Sequence, residues 1–210
     1  MIRYISANLV LLFTIFVSHS VAASCTAINV APNASLCLQS EWRPIVGGTL
    51  TTLDAFGSGG HISEGTTLSF AANLYDKNGA VAAMMNVRRY PTETISQADI
   101  ADITGTSDEI QELVSLVDKS ARGALKAELP KQGIKLLGWL GTKLDRLDAK
   151  AVFVTTYRRL SNHTQAVFVV RHVRYFGASE SFTLTLSHRE DLGAAMLGAI
   201  NIIKESVHIR

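Results

Sequence analysis

Cysteine is nearly missing from this chain of 210 residues, which has only Cys25 and Cys37. Two thiols leave room for one disulfide, a lipidated residue or free cysteines, and nothing denser. Charge is scarce as well: 18% of residues are charged and the net charge is +2, with a pI near 8.6. That balance is too weak to mark a nucleic acid or an anionic membrane as partner. The apolar run from Leu9 to Val17 is too short to span a bilayer.

Catalytic spacings are lacking too. None of His61, His163, His172, His188 and His208 forms a His-x-x-x-His pair, so no metal or other cofactor is expected. There is no Gly-x-Ser-x-Gly elbow and no Ser-x-x-Lys pair. A triad assembled from distant residues stays open, since triads are defined by geometry and not by sequence order. Gly57, Gly59 and Gly60 lack the Lys-Ser/Thr ending of a phosphate loop.

What is present is a sizeable core, with 47% of residues hydrophobic and no signature of disorder. Arg3, the Leu9 to Val17 run and the small residues Val21, Ala22 and Ala23 make an export signal, residues 1–23, cleaved after Ala23. The expected location is periplasmic or secreted. In that setting Cys25 and Cys37 read first as a disulfide within an N-terminal segment, residues 24–66. Lipidation of Cys25, which would anchor the chain to a membrane, and free thiols remain as alternatives. Residues 24–210 then form a single domain.

Along that domain, Ile45 to Leu50 reads as a strand edge. Thr67 to Tyr90 reads as a hairpin turning at Asp76 to Gly79, with Pro91 ending it. A short helical piece is expected near Ser96 to Ile103. A long helix follows, with Thr106 and Glu109 at capping-box spacing and Ile110, Leu113, Val114, Val117, Ala121, Ala124 and Leu125 on one stripe. Ile134 to Leu147 reads as a strand pair or one bent strand around Trp139. Three strands come next: Ala149 to Leu160, Gln165 to Phe176 and Glu180 to His188. In the third, Phe182, Leu184 and Leu186 alternate with Ser181, Thr183 and Thr185, which predicts one buried and one wet face. Ser187 and Glu190 have capping-box spacing ahead of a closing helix carrying Leu192, Ala195, Met196, Ala199 and Ile203. Sequons at Asn33 and Asn162 would matter only in a eukaryotic secretory pathway.

The stretches Asp148 to Val154, Val167 to Tyr175, Phe182 to Ser187 and Ile202 to Val207, with Glu41 to Pro44 ahead of the first hairpin, resemble the PsbP superfamily. That group comprises extrinsic photosystem II proteins, a Ran-binding import factor and exported bacterial proteins of the DcrB type. The family often has glycine in the turn entering the first of the three strands, where this chain has Asp148 and Ala149. The resemblance implies an α+β fold in which an antiparallel sheet is flanked by helices, an α/β/α sandwich. It also implies a binding or assembly factor, here for another protein of the cell envelope, and brings no catalytic residues. The alternative is a small periplasmic hydrolase or ligand-binding enzyme.

The residues expected to bind are Arg88, Arg89 and Tyr90 at one strand end and Arg171, His172, Arg174 and Tyr175 at another. If the two ends meet, they make a basic aromatic patch for a carboxylate or an acidic loop.

Overall fold

Alternating apolar residues and short polar turns set the main sheet. The computed structural model describes residues 25–50, 66–90, 100, 107–161, 164–177 and 180–210. The export signal, Gly57 to Gly60, Pro91, Thr106 and the Asn162 sequon lie outside these. So does the piece expected near Ser96 to Ile103, apart from Ile100, which is helical and buried.

The described residues include ten strands: β1 (Cys25–Ala31), β2 (Ala34–Gln39), β3 (Arg43–Pro44), β4 (Thr67–Tyr75), β5 (Val81–Tyr90), β6 (Ile134–Leu147), β7 (Lys150–Ser161), β8 (Val167–Tyr175), β9 (Ser181–Arg189) and β10 (His208–Ile209). The two long helices are α1 (Ser107–Glu128) and α2 (Gly193–Glu205). Seven strands make the main sheet in the order β3-β4-β5-β9-β8-β7-β6, and β1-β2-β10 make a smaller one. All pairings are antiparallel.

The hairpin β4-β5 turns where Asp76 predicts it, because the Asp76 Oδ1 accepts the amides of Asn78 and Ala80. β6 is a single bent strand. Its two bulges fall at Leu137 and Leu140, which are 40% and 60% exposed, and Gly141 takes a φ of 95° that a side chain would resist.

One face of the main sheet carries Ala72, Met85, Val87, Leu184, Leu186, Val173, Val152 and Val154. Against it pack the small sheet, through Val30, Leu36 and Leu38, and α2, through Ile200 and Ile203. The other face is covered in part by α1, which rests on β6 and β7. There Leu113, Val114 and Val117 meet Phe153 and Phe176, and Leu125 and Leu129 meet Tyr157, Phe168 and Val170. The result is an α+β fold with helices on both faces of an antiparallel sheet.

Four expectations need correction. Ser187 caps no helix: it is buried within β9, opposite Met84 and Val170. The strand runs on to Arg189, and α2 begins at Gly193 without a side-chain cap. Ser181, Thr183 and Ser187 are buried and Thr185 is half-buried, so the polar face of β9, the fourth of seven strands, is covered and not wet. Residues 45–50 form no strand. Pairing stops at Arg43 and Pro44, and after the Ile45 amide reaches the Ala71 carbonyl the chain turns at Gly47. In α2, Ala195 is exposed and the buried positions are Ile200 and Ile203.

Candidate functional site

Of the expected binding residues, Arg88, Arg89, Tyr90, Arg174 and Tyr175 meet at the sheet corner where β5 ends, β9 begins and β8 ends, whereas Arg171 and His172 lie further in, at the middle of β8. Register sorts them by face. Arg174 is paired with Thr183, and Thr183 with Arg88, so Arg88, Tyr90, His172 and Arg174 belong to the α1 face. Arg89, Arg171 and Tyr175 belong to the α2 face, because neighbouring residues of a strand point opposite ways.

On the α2 face these residues are engaged structurally. Arg89 pairs with Glu180. Tyr175 is buried with its ring 5.1 Å from that of Phe182, and burial raises its phenol pKa. Arg171 is partly buried, which lowers its own pKa and, after burial, helps to lower that of His188. Nearby, Arg158 and Glu190 pair at 2.5 Å.

On the α1 face, the Arg174 guanidinium lies 5.1 Å from the Tyr90 ring centroid and 5.0 Å from that of Phe176. The rings flank a planar cation. Behind it runs a polar row across five strands: Thr142, Thr155, His172, Thr185 and Asn86, each opposite the next. The hydroxyls of Thr142 and Thr155 are 2.9 Å apart.

His172 is the centre of this row. Its Nε2 shares a hydrogen bond with the Tyr157 hydroxyl at 3.3 Å, the donor following the imidazole tautomer. Burial, and then the charges of Arg159 and Arg174, push its pKa down to about 4, so the ring is neutral at pH 7. Burial pushes Tyr157 up to about 12, which keeps its proton in place. Tyr157 in turn stacks on Trp139, with centroids 6.2 Å apart. The Trp139 Nε1–H donates to Asp118 of α1 at 2.9 Å. A connected line thus leads from α1 into the middle of the sheet, and such a line fixes ring positions without supplying a nucleophile.

Tyr157 and Arg159 were not among the residues singled out from sequence, although both share this face. The signal was the alternation in β7, where Arg158 and Arg159 must diverge, but only strand register says which way. Among the described residues no three or more His, Cys, Asp or Glu side chains group to hold a metal ion. Cys25 and Cys37 form a disulfide with Cα atoms 5.4 Å apart. No helix among the described residues is long and apolar enough to cross a membrane.

No family model matches the chain, and no curated protein matches it. Solved structures do. The chain is similar to the solution structure of cyanobacterial PsbP (CyanoP) from Synechocystis, with a TM-score of 0.49 and 11% identity over 90% of this chain and 94% of that one. It is similar to LpqN, involved in cell envelope biogenesis of Mycobacterium tuberculosis, with a TM-score of 0.48 and 15% identity over 88% and 89% of the two chains. A protein from Bacteroides thetaiotaomicron matches with a TM-score of 0.43 and 9% identity over 87% of this chain and 47% of that one.

Proposed function

We propose that this chain is an exported, non-catalytic binding module serving as an accessory or assembly factor for a protein complex of the cell envelope. Its partner is held at the corner formed by Arg88, Tyr90, His172 and Arg174, with Arg89, Arg171 and Tyr175 supporting that corner from the other face. The observation that carries this reading is the Arg174 guanidinium set beside two aromatic rings at a strand end. A cation held this way is positioned before a partner arrives, so an incoming carboxylate meets an ordered donor. The neutral His172 and protonated Tyr157 behind it are hydrogen-bonded to each other, an arrangement suited to support. The disulfide agrees with an oxidising compartment outside the cytosol.

The test is site-specific photo-cross-linking in cells that export the protein, with a photoreactive phenylalanine analogue at Tyr90 and, as a control, at Thr26 of β1. Discrete adducts with an envelope protein are expected from position 90 and absent from position 26, and Arg174→Glu removes them while the circular dichroism spectrum is unchanged. Adducts that survive Arg174→Glu, or that form equally at both positions, overturn the reading.

A further inference from the structure

The apolar core on the α2 face stops short of one end of β6, β7 and β8. Leu160 lies opposite Val167 there, and Arg158 opposite Val169; Val167 and Val169 alternate with their neighbours in β8 and so share the face of Arg171. Leu136 and Trp139 pack toward α1, so Leu137 and Leu140, the next residues of β6, turn the other way. Leu160, Val167 and Val169 are half-buried, Leu137 and Leu140 are exposed, and none of the five belongs to a core cluster. Among the described residues, α2 rests on β9 and β5 and meets β6 at its other end, through Lys204 and Asp145.

We propose that this open end is a docking surface for an acidic amphipathic helix of a partner protein, with the aliphatic side of the helix on β6, β7 and β8 and one of its carboxylates on Arg171. The surface is separate from the Arg174 corner and stands whether or not that corner holds a partner.

Charge and shape both select this occupant. Arg171 pairs with no described carboxylate: Glu190 is held by Arg158, and Asp145 by Lys143 and Lys204. The Nε atoms of Arg158, Arg159 and Arg174 are enclosed without a partner, and no nitrogen of Arg171 is, so its guanidinium is within reach of an incoming group. A half-buried cation beside aliphatic side chains gains more from a carboxylate than one in open water. An apolar patch edged by unanswered positive charge is the mark of an interaction site for an acidic partner. Next to the patch the same face is already covered by a helix, α2, and a second helix about 10 Å from it continues that layer. A strand added at the β6 edge fits less well, because the bulges at Leu137 and Leu140 interrupt the ladder it would need.

The probe is a fluorescein-labelled helical peptide of about 14 residues, roughly 21 Å long, with leucine along one side and glutamate elsewhere. Its control carries lysine in place of glutamate. Anisotropy titrations of the full exported chain should show the acidic peptide binding, more weakly as salt rises, and the basic peptide not binding. Arg171→Gln should weaken binding about tenfold, and Leu137→Ser with Leu140→Ser about tenfold or more. Both variants should melt close to the natural protein, since neither removes a core residue or an ion pair. Arg174→Glu should leave peptide binding unchanged, which separates this surface from the corner. The proposal is overturned if the acidic peptide does not bind, if the basic one binds as well, or if Arg171→Gln has no effect. It is overturned too if the natural protein sediments as a dimer that the leucine substitutions dissociate, which makes a second copy the occupant. Binding to phosphatidylglycerol vesicles that is tighter than binding to the peptide, and is lost in Arg171→Gln, makes a membrane the occupant and likewise overturns it.

Discussion

The turn from β6 to β7 shows how single residues divide between local conformation and distant contact. Asp148 and Ala149 both take positive φ, 48° and 62°, which is unfavourable for any residue with a Cβ. Glycine relieves that strain but adds freedom to the unfolded chain. At Ala149, whose carbonyl accepts from the Arg146 Nη1, Ala149→Gly should stabilise by about 0.5 to 1 kcal/mol, as read in urea denaturation. At Asp148 the same change should destabilise. The Asp148 Oδ2 accepts the amide of Ile209 at 2.6 Å and lies 2.9 Å from the His208 Nδ1, so its loss unties β10. His172 sets a pH response by burial alone. Its pKa is about 4 in the fold against an ordinary 6.5, so the unfolded chain binds more protons in that interval and stability falls as pH drops through it. The span is on the order of 3 kcal/mol. Below pH 4 the ring is charged in both states and its contribution no longer changes. Comparing denaturation midpoints at pH 7 and pH 4.5, His172→Gln should show a smaller drop than the natural protein, with a remainder from His188, whose pKa is lowered in the same sense.

Among the elements, α1 is held less by its own sequence than by what it rests on. Gly123 lies within it, exposed, and a Cβ there would meet nothing within 4 Å. Gly123→Ala should therefore stabilise by roughly 1 kcal/mol, and thermal melting should rise accordingly. A fall would mean that the helix bends at this point. The helix, the β4-β5 hairpin and the three long strands were legible because their signals are local: a 3.6 period, a two-residue alternation and the Asp76 to Gly79 turn. The small sheet was not legible. β10 has only two residues, and it joins β2 from the opposite end of the chain, where no local period speaks. The Ser187 and Glu190 spacing misled because a buried strand also tolerates serine, and Glu190 is drawn instead to Arg158. The candidate site was half legible for a related reason. Clustering of Arg88, Tyr90 and Arg174 followed from strand ends alone, whereas the division of the seven residues between two faces, and the presence of Arg159, depended on register across β5, β9, β8 and β7.

At the scale of the whole molecule, the two faces of the main sheet are secured by different means. Where α2 and the small sheet lie over it, the α2 face is closed by a continuous apolar core, and the small sheet and α2 are tied at several points. The Ser206 Oγ accepts the Cys37 amide at 3.1 Å, the Ser69 hydroxyl donates to the Val30 carbonyl at 2.6 Å, and Lys204 pairs with Asp145 at 2.9 Å. β1 is the weak member: it is an edge strand in which only Val30 and Ala31 are buried. Its exposed start depends on the ladder with β2 and on the Cys25–Cys37 disulfide. A twelve-residue separation between the cysteines places the loop-entropy contribution at about 3 kcal/mol. Cys25→Ser with Cys37→Ser should lower stability by about 2 to 3 kcal/mol, and reductant should do the same to the natural protein and nothing to the variant. Amide exchange locates the loss. Residues 25–29 should lose protection first, while β7, β8 and β9, each paired on both sides, keep theirs until global unfolding. Equal loosening of those central strands would mean that the small sheet is part of the main folding unit and no separate cover.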